Sequence, residues 1–276
     1  MTAVNLKKIL NDANKNNYAV AGLVVLGWDD ALAFTQAADE TGIPIILQAG
    51  PSCRAHTPIP ILGKMFRYLA SQTKTNICCH VDHGYTLDEC YEGIDSGFTS
   101  IMFDGSKLTV NENIKISKKI ALRAHKHNIS VEGEIGFVGY DNGKISDATN
   151  IEYAVTYANK SNLYAMAISF GNTHLQTSKK ASIDFNKINL IEAKTKIPLV
   201  LHGSSGIPVE QRKKLARKTK VAKLNIGTEI RMTFGEALRK NLKNNPKTYD
   251  RLQLLKPTIK DLTKVTKKII KQIGPN

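Results

Sequence analysis

The sequence predicts one α/β domain, a (β/α)8 TIM barrel with extra C-terminal helices. Three observations predict it. Eight short apolar runs alternate with stretches of helical periodicity, nearly every run ends in Gly, Asp, Glu or His, and no linker divides the 276 residues. Alternating strands and helices imply a parallel sheet, and eight units in a chain near the usual barrel length of about 250 residues imply closure. Residues 1–276 therefore read as a single domain, with the barrel over about 1–235 and a helical extension over about 236–276.

Taken in order, residues 1–17 read as a helix with a polar exit, and YAVAGLVVL (18–26) as the first strand. A helix over Asp29–Thr41 ends at Gly42, and PIILQAG (44–50) is the second strand. The loop PSCRAHTPIP (51–60) is expected to be non-helical because of its prolines. A helix over Ile61–Thr73 then leads to NICCHVDHG (76–84), the third strand. Helix Thr86–Ser96 ends at Gly97 and is followed by the fourth strand, TSIMFDG (99–105). Helix Asn113–His127 precedes the fifth, ISVEGEIG (129–136). Residues 137–150 lack periodicity and read as a long binding loop or lid. Helix 151–160, the sixth strand LYAMAISFG (163–171), a helix near 184–195, the seventh strand IPLVLHG (197–203), helix 208–219 and the eighth strand VAKLNIG (221–227) complete the pattern. Residues 228–276 read as extra helices packing across the barrel or onto a partner subunit.

Composition narrows the function. Hydrophobic residues at 42% and charged residues at 23% are ordinary for a soluble globular chain, and no apolar run approaches the roughly 18 residues of a membrane span. The first twenty residues lack the layout of a signal peptide, so a cytoplasmic setting is expected. Cys53, Cys78, Cys79 and Cys90 form no CxxC pair and read as structural thiols, with adjacent Cys78 and Cys79 on opposite faces of a strand. The net charge of +15 raises nucleic acid as a partner, but from Arg239 onward there are 11 Lys or Arg against 2 Asp or Glu. These alternate with Leu262, Val265, Ile269 and Ile270 at helical spacing, as solvated helix faces do, and no nucleic-acid motif accompanies them. An electrostatic pull on small anions explains the charge as well.

The carboxyl ends of barrel strands form one mouth, and the chemistry collects there. Strand three ends in His80, Asp82 and His83, strand four in Asp104 and Ser106, strand five in Glu132 and Glu134. Strand six is followed by His174, strand seven by His202, Ser204 and Ser205, and strand eight by Asn225, Gly227 and Thr228. Histidines from three strands match the open three-ligand pattern of catalytic zinc, with carboxylates alongside to move protons. Gly203–Gly206 before Pro208, and NIGTE (225–229) on the next strand, offer small residues, hydroxyls and helix N-termini, the elements of a phosphate cradle.

These residues carry a family resemblance. HVDHG (80–84), GFTSIMFDGS (97–106), SVEGEIG (130–136), GNTHL (171–175), IPLVLHGSSGIP (197–208) and KLNIGTEI (223–230) occur in the order found in class II, zinc-dependent fructose-bisphosphate and tagatose-bisphosphate aldolases. The chain resembles that family over roughly residues 1–240. The resemblance implies His83, His174 and His202 as ligands of one Zn2+ ion, and Asp82 as the proton shuttle at the aldehyde-derived hydroxyl. It implies Asp104 and Glu134 at an alternative metal position, with His80 one layer behind the metal. Gly203, Ser205, Asn225 and Thr228 would hold a dihydroxyacetone phosphate group.

Three departures bear on substrate. Leu175 stands where the family has glycine after the second zinc histidine. The long loop reads VGYDNG (138–143), with Asn142 where the family has a glutamate that deprotonates the donor. An amide cannot act as that base, so Asp141 is the candidate. The loop after strand two adds Arg54 and His56, and Arg54 is a candidate for anion recognition. The implied function is metal-dependent aldol cleavage of a ketose (bis)phosphate or related acidic sugar phosphate to dihydroxyacetone phosphate and an aldehyde, in a homodimer or homotetramer. The alternatives are a non-cleaving sugar-phosphate-binding paralogue and an aldolase using a non-phosphorylated donor.

Overall fold

A computed structural model of the chain describes residues 2–136, 149–169, 181 and 183–275. The first helix, α1 (Leu6–Lys15), is followed by β1 (Val20–Val24), α2 (Trp28–Thr41), β2 (Ile45–Ala49), α3 (Pro51–His56), α4 (Ile59–Ser71) and β3 (Ile77–Gly84). Next come α5 (Leu87–Asp95), β4 (Ser100–Phe103), α6 (Val110–Lys126), β5 (Ser130–Ile135), α7 (Ile151–Lys160) and β6 (Ala165–Ile168). The chain continues through α8 (Phe185–Lys194), β7 (Leu199–Leu201), α9 (Val209–Lys218), β8 (Val221–Ile226), α10 (Thr228–Asn244), α11 (Arg251–Leu255) and α12 (Thr258–Ile273). The eight strands pair in sequence order and β8 returns to β1, closing the barrel. Each pairing is parallel.

Strand residues are buried on both faces, which is why these segments read as apolar runs rather than alternating ones. Outward side chains such as Leu23, Leu47, Cys79, Val81 and Ile101 join the large core beneath the helices. Inward side chains Val20, Ile46, Cys78 and Met102 join Leu6, Ile9 and Leu10 of α1, which plugs the amino end of the barrel. Cys78 and Cys79 thus face opposite sides, and all four thiols are buried and unbridged. No helix among the described residues is long and apolar enough to cross a membrane.

Two elements differ from the sequence reading. The loop after β2 is not irregular: Pro51 occupies the first turn of α3, where its missing N–H has no helical partner to lose, and Pro58 caps α4. The prolines mark helix starts. Helix α6 also begins earlier, at Val110, because Thr109 and Glu112 form a reciprocal cap: Thr109 Oγ1 accepts from Glu112 N at 3.3 Å, and Glu112 Oε2 accepts from Thr109 N at 3.1 Å.

The C-terminal helices divide in two. Helix α10 buries a single residue among its seventeen, Ile230, and packs against α12. Helix α12 buries Leu262, Ile269, Ile270 and Ile273 against α2, α9 and β1, and so takes the outer position beside β8 and β1. The backbone seals it: Ala19 N donates to Ile273 O at 2.9 Å, and Arg217 bridges Asn17 O and Gly274 O.

Ile270→Ala is expected to lower unfolding free energy by about 2–5 kcal/mol in urea titrations, as core truncations do. Leu242→Ala, on the exposed side of α10, should change it by less than about 0.5 kcal/mol. Equal small effects would mean that α12 is peripheral.

Candidate active site

The mouth is organised by an irregularity in β3. Val81 pairs with Ile101, but the next pair is Gly84 with Phe103, so β3 carries one extra residue. Successive residues of a regular strand face opposite ways. Here His83 adopts a left-handed conformation, φ 52°, within the bulge, and bulges re-aim side chains in this way. Asp82 and His83 consequently offer ligand atoms within 4.8 Å of each other and of His202.

Arg54 holds this bulge. Its guanidinium donates to Ala49 O at 2.6 Å, to His83 O at 2.8 Å and to Asp82 O, and pairs with Glu89 at 3.3 Å. The side chain is 5% exposed. Arg54, expected to recognise a substrate anion, here donates through its terminal nitrogens to backbone carbonyls and Glu89, its Nε being buried without a partner, and it does not line the mouth cavity. Sequence spacing could not reveal this, because Arg54 was assigned to an irregular loop rather than to α3.

The two described histidines at the mouth are each backed by carboxylate. His83 Nδ1 lies 2.8 Å from Asp104 Oδ2 and 3.4 Å from Glu134 Oε2. Asp104 is itself fixed by Ser106 N at 3.1 Å and Ser106 Oγ at 2.6 Å. His202 Nε2 lies 3.5 Å from Glu132 Oε1. This leaves His83 Nε2 and His202 Nδ1 directed at one another, 2.9 Å apart, with ring planes at 88°. Imidazoles oriented from behind by carboxylates, with their other nitrogens converging beside a third carboxylate, have the arrangement of metal ligands. The donor set fits a divalent metal at Asp82, His83 and His202, and a second grouping, His83, Asp104 and Glu134, also converges within 4.8 Å. His174 and Asp141 lie outside the described residues.

Burial and charge act together on these groups. Burial opposes protonation of His83, but Asp82, the bond to Asp104 and Glu134 outweigh it and lift the ring up to about 10. Burial and the neighbouring His83 hold His202 well below the ordinary histidine range. Although burial favours the neutral acid, His83, His202 and Lys223 keep Asp82 below the usual carboxylate value. Glu134 is pushed well up by burial and by Asp104. Acidic groups crowd the mouth, and a cation between the two imidazoles relieves them.

Below the mouth lies a pair that motif reading missed. Lys223 Nζ is fully buried, 2.7 Å from Glu132 Oε2 and 3.1 Å from His80 Nε2. His80 Nδ1 in turn meets Ser100 Oγ at 2.8 Å, so His80 stands behind the site and reaches His202 through Lys223 and Glu132. The signal was present: a lysine inside VAKLNI and a glutamate inside SVEGEI occupy strands buried on both faces, where charges must pair. Gln48 is a second omission. It is fully buried with both amide atoms unpartnered, and a Cβ on Gly22 would sit 1.6 Å from Gln48 Oε1 and 2.6 Å from Asn225 Oδ1. Only glycine at position 22 leaves room for these amides.

The opposite wall carries the residues expected of a phosphate cradle. Gly203, in the left-handed region at φ 62°, begins a short 3-10 turn over Ser204–Gly206. Ser205 Oγ accepts from Gly227 N and Glu229 N, both at 3.3 Å, and so ties that turn to the start of α10. Buried Arg212 fastens the same junction, donating to Ile207 O at 2.9 Å and Glu229 Oε2 at 2.7 Å. Gly203, Ser205, Asn225 and Thr228 line one cavity of about 500 Å³ with Asp82 and His83. Asn225 is 6% exposed, and both atoms of its amide lack partners.

Comparison with known proteins bears on the chain as a whole. The sequence profile of fructose-bisphosphate aldolase class-II matches residues 4–276. The chain is 32% identical to a 6-phospho-5-dehydro-2-deoxy-D-gluconate aldolase of Shouchella clausii over 99% of its length and 95% of the relative's. It is also 32% identical to a fructose-bisphosphate aldolase of Staphylococcus aureus, covering 99% and 98% of the two chains. Among solved structures, the YdjI aldolase from Escherichia coli K12 shares the fold with a TM-score of 0.86 at 24% identity, covering 99% and 98% of the two chains.

Arg54→Met should destabilise the protein by about 3 kcal/mol in denaturant titrations, the scale of one to two charged hydrogen bonds. It should also weaken divalent-metal binding about 10- to 100-fold in chelator competition, as loss of a supporting contact does at metal sites. Arg54→Lys is expected not to restore either, since one ammonium cannot span the carbonyls that the planar guanidinium reaches.

Proposed function

From the premise that the chain belongs to the class II fructose-bisphosphate aldolases, a family of lyases, we propose that it cleaves a ketose phosphate reversibly to dihydroxyacetone phosphate and an aldehyde. The observation that carries this reading is the convergence of His83 Nε2 and His202 Nδ1 beside Asp82, across one cavity from Ser205 and Asn225. The relatives' names support it, since both describe phosphorylated sugar derivatives.

The proposed ion is Zn2+, held by His83, His202 and, on sequence grounds, His174; two imidazoles at one point suit it. When bound, it supplies Lewis acidity at the substrate ketone. Asp104 and Glu132 orient the two rings from behind, and Lys223 keeps Glu132 in place. Gly203, Ser205, Asn225 and Thr228 hold the phosphate end of the donor. Asp82, kept ionised by its cationic neighbours, takes the proton from the hydroxyl on the carbon beyond the scissile bond. That C–O becomes the carbonyl of the leaving aldehyde as the carbon–carbon bond breaks. In synthesis the same carboxyl returns the proton to the aldehyde oxygen as the new bond forms. Asp141 is the proposed base at the donor carbon, from its place in the sequence. A homodimer or homotetramer belongs to the same proposal, as does a cytoplasmic setting, with which four buried unbridged thiols are consistent.

The test is deuterium exchange at the hydroxymethyl carbon of dihydroxyacetone phosphate, followed by NMR in D2O. Exchange is expected with metal-loaded protein, should stop with a chelator and should return with Zn2+. His202→Ala should lose both metal and exchange. Asp82→Asn should retain exchange yet cleave ketose phosphates about 10²- to 10⁴-fold more slowly, the usual contribution of a positioned acid–base group. Persistent exchange in His202→Ala protein overturns the reading.

A further inference from the structure

In the proposed reaction Asp82 serves the hydroxyl of the aldehyde half, so that half lies beside Asp82 and away from Ser205 and Asn225. A Cβ placed on Gly50 would stand 3.6 Å from Asp82 Oδ2, in ordinary van der Waals contact, so the end of β2 borders the carboxylate. From Gly50 the wall of the cavity of about 500 Å³ continues through Pro51 and Ser52 at the start of α3. Val24, at the end of β1, and Leu26, just after it, complete that side.

This wall is apolar. Val24, Leu26 and Pro51 are hydrocarbon, Gly50 offers only backbone, and Ser52 brings one exposed hydroxyl. Among the described residues it holds no lysine, arginine or histidine. The cation nearest in sequence, Arg54, donates to the carbonyls of Ala49, Asp82 and His83 and does not line the cavity. Past Val24 and Leu26, an adjoining cavity of about 300 Å³ holds Arg231 and Arg251 together with Asp29 and Asp30, two charges of each sign. There Arg231 stabilises the Asp30 carboxylate. A phosphate monoester brings about −1.5 to −2 charges at neutral pH. Against the β1–β2 wall it would lose water without gaining a charged partner, and it would face Asp82. A hydrocarbon chain is stabilised by the same contact.

We propose that the wall formed by Val24, Leu26, Gly50 and Pro51 is the aldehyde subsite and selects an unphosphorylated aldehyde with a short hydrocarbon chain. The ketose substrate then carries one phosphate, on its donor half. The assignment rests on the aldolase reading, which puts the donor's phosphate against Ser205 and Asn225. Leu26, 38% exposed, stands at the outer end of this wall, where a substitution alters the subsite without opening the core. It is the specificity-determining position.

Condensation by the metal-loaded full chain, with dihydroxyacetone phosphate saturating and the aldehyde varied, tests this. The reaction joins the donor's hydroxymethyl carbon to the aldehyde carbon; that donor carbon loses a proton and the aldehyde oxygen gains one. The kcat/KM is expected to rise about fourfold per methylene from acetaldehyde through propanal to butanal, the gain from burying each CH2. Glyceraldehyde 3-phosphate should be at least about 10-fold poorer than butanal, the scale of a buried charged group left unpaired. Leu26→Arg should shift that ratio about 10-fold towards glyceraldehyde 3-phosphate, with thermal melting as the check on folding. Leu26→Ser, which adds no bulk, should flatten the alkanal series. A flat series or a preference for glyceraldehyde 3-phosphate in the unsubstituted protein overturns the assignment, as does an unchanged preference in both variants. Failure of the aldolase reading looks different: dihydroxyacetone phosphate exchanges no deuterium and no aldehyde condenses, and this assignment falls with it.

Discussion

One extra residue in β3, and the guanidinium that holds it, determine what the mouth of this barrel can do. A regular strand would send Asp82 into the barrel and His83 into the helical layer. The bulge, with His83 in the left-handed region, brings both to the same space. A non-glycine residue in that region costs roughly 1–2 kcal/mol. A buried arginine donating to the carbonyls of Ala49, Asp82 and His83 offsets more than that, since each charged hydrogen bond contributes about 1.5–3 kcal/mol. The strain is therefore sustainable only with Arg54 in place, and Arg54 reaches it only because Pro51 starts a helix directly after β2.

The second constraint lies one layer deeper. The amino end of the barrel is filled by apolar side chains and plugged by α1, but its middle holds Lys223, Glu132, His80 and Ser100 in one chain of contacts. Charges this deep are tolerated only when paired. The pairing has a consequence at the mouth, because Glu132 also faces His202 Nε2 and leaves Nδ1 as the nitrogen directed at His83. Which nitrogen of His202 is available is thus set by a lysine on the next strand, two residues before Asn225 of the cradle. Ligand and cradle are coupled through β8.

Much of this was legible in the sequence. Apolar runs ending in Asp, Glu, His or Gly identified the strands and gathered Asp82, His83, Asp104, Glu134 and His202 at one end, because parallel strands must all present the same end to the same side. The family motifs separated the cradle residues from ordinary turns. Four features escaped. The hold of Arg54 on the β3 carbonyls was not visible because prolines that begin helices resemble prolines that prevent them. Lys223 and Gln48 were passed over because a polar residue in an apolar strand carries no motif, although burial makes it informative. The outer role of α12 was missed for another reason: α10 follows β8 directly and has the length of a barrel helix, but its sequence lacks the apolar stripe that α12 carries in Leu262, Ile269, Ile270 and Ile273.

These arrangements divide the mouth electrostatically. On the β3–β5 side stand Asp82, Asp104, Glu132 and Glu134, with Lys223 pairing only one of them. Without another positive centre, the proton on His83 is the local compensation, which is why that ring is lifted so far. A divalent cation held by His83 and His202 would supply the same compensation and, in the proposed function, Lewis acidity at the substrate ketone. On the β7–β8 side the wall is made of neutral donors and Arg231. In the proposed function the acidic wall would disfavour a phosphate, and the wall of Gly203, Ser205, Asn225 and Thr228 is the one that would take it. The proposed function would thereby place the two ends of a phosphorylated ketone on opposite walls, with Asp82, which lines the same cavity, facing the carbon chain between them.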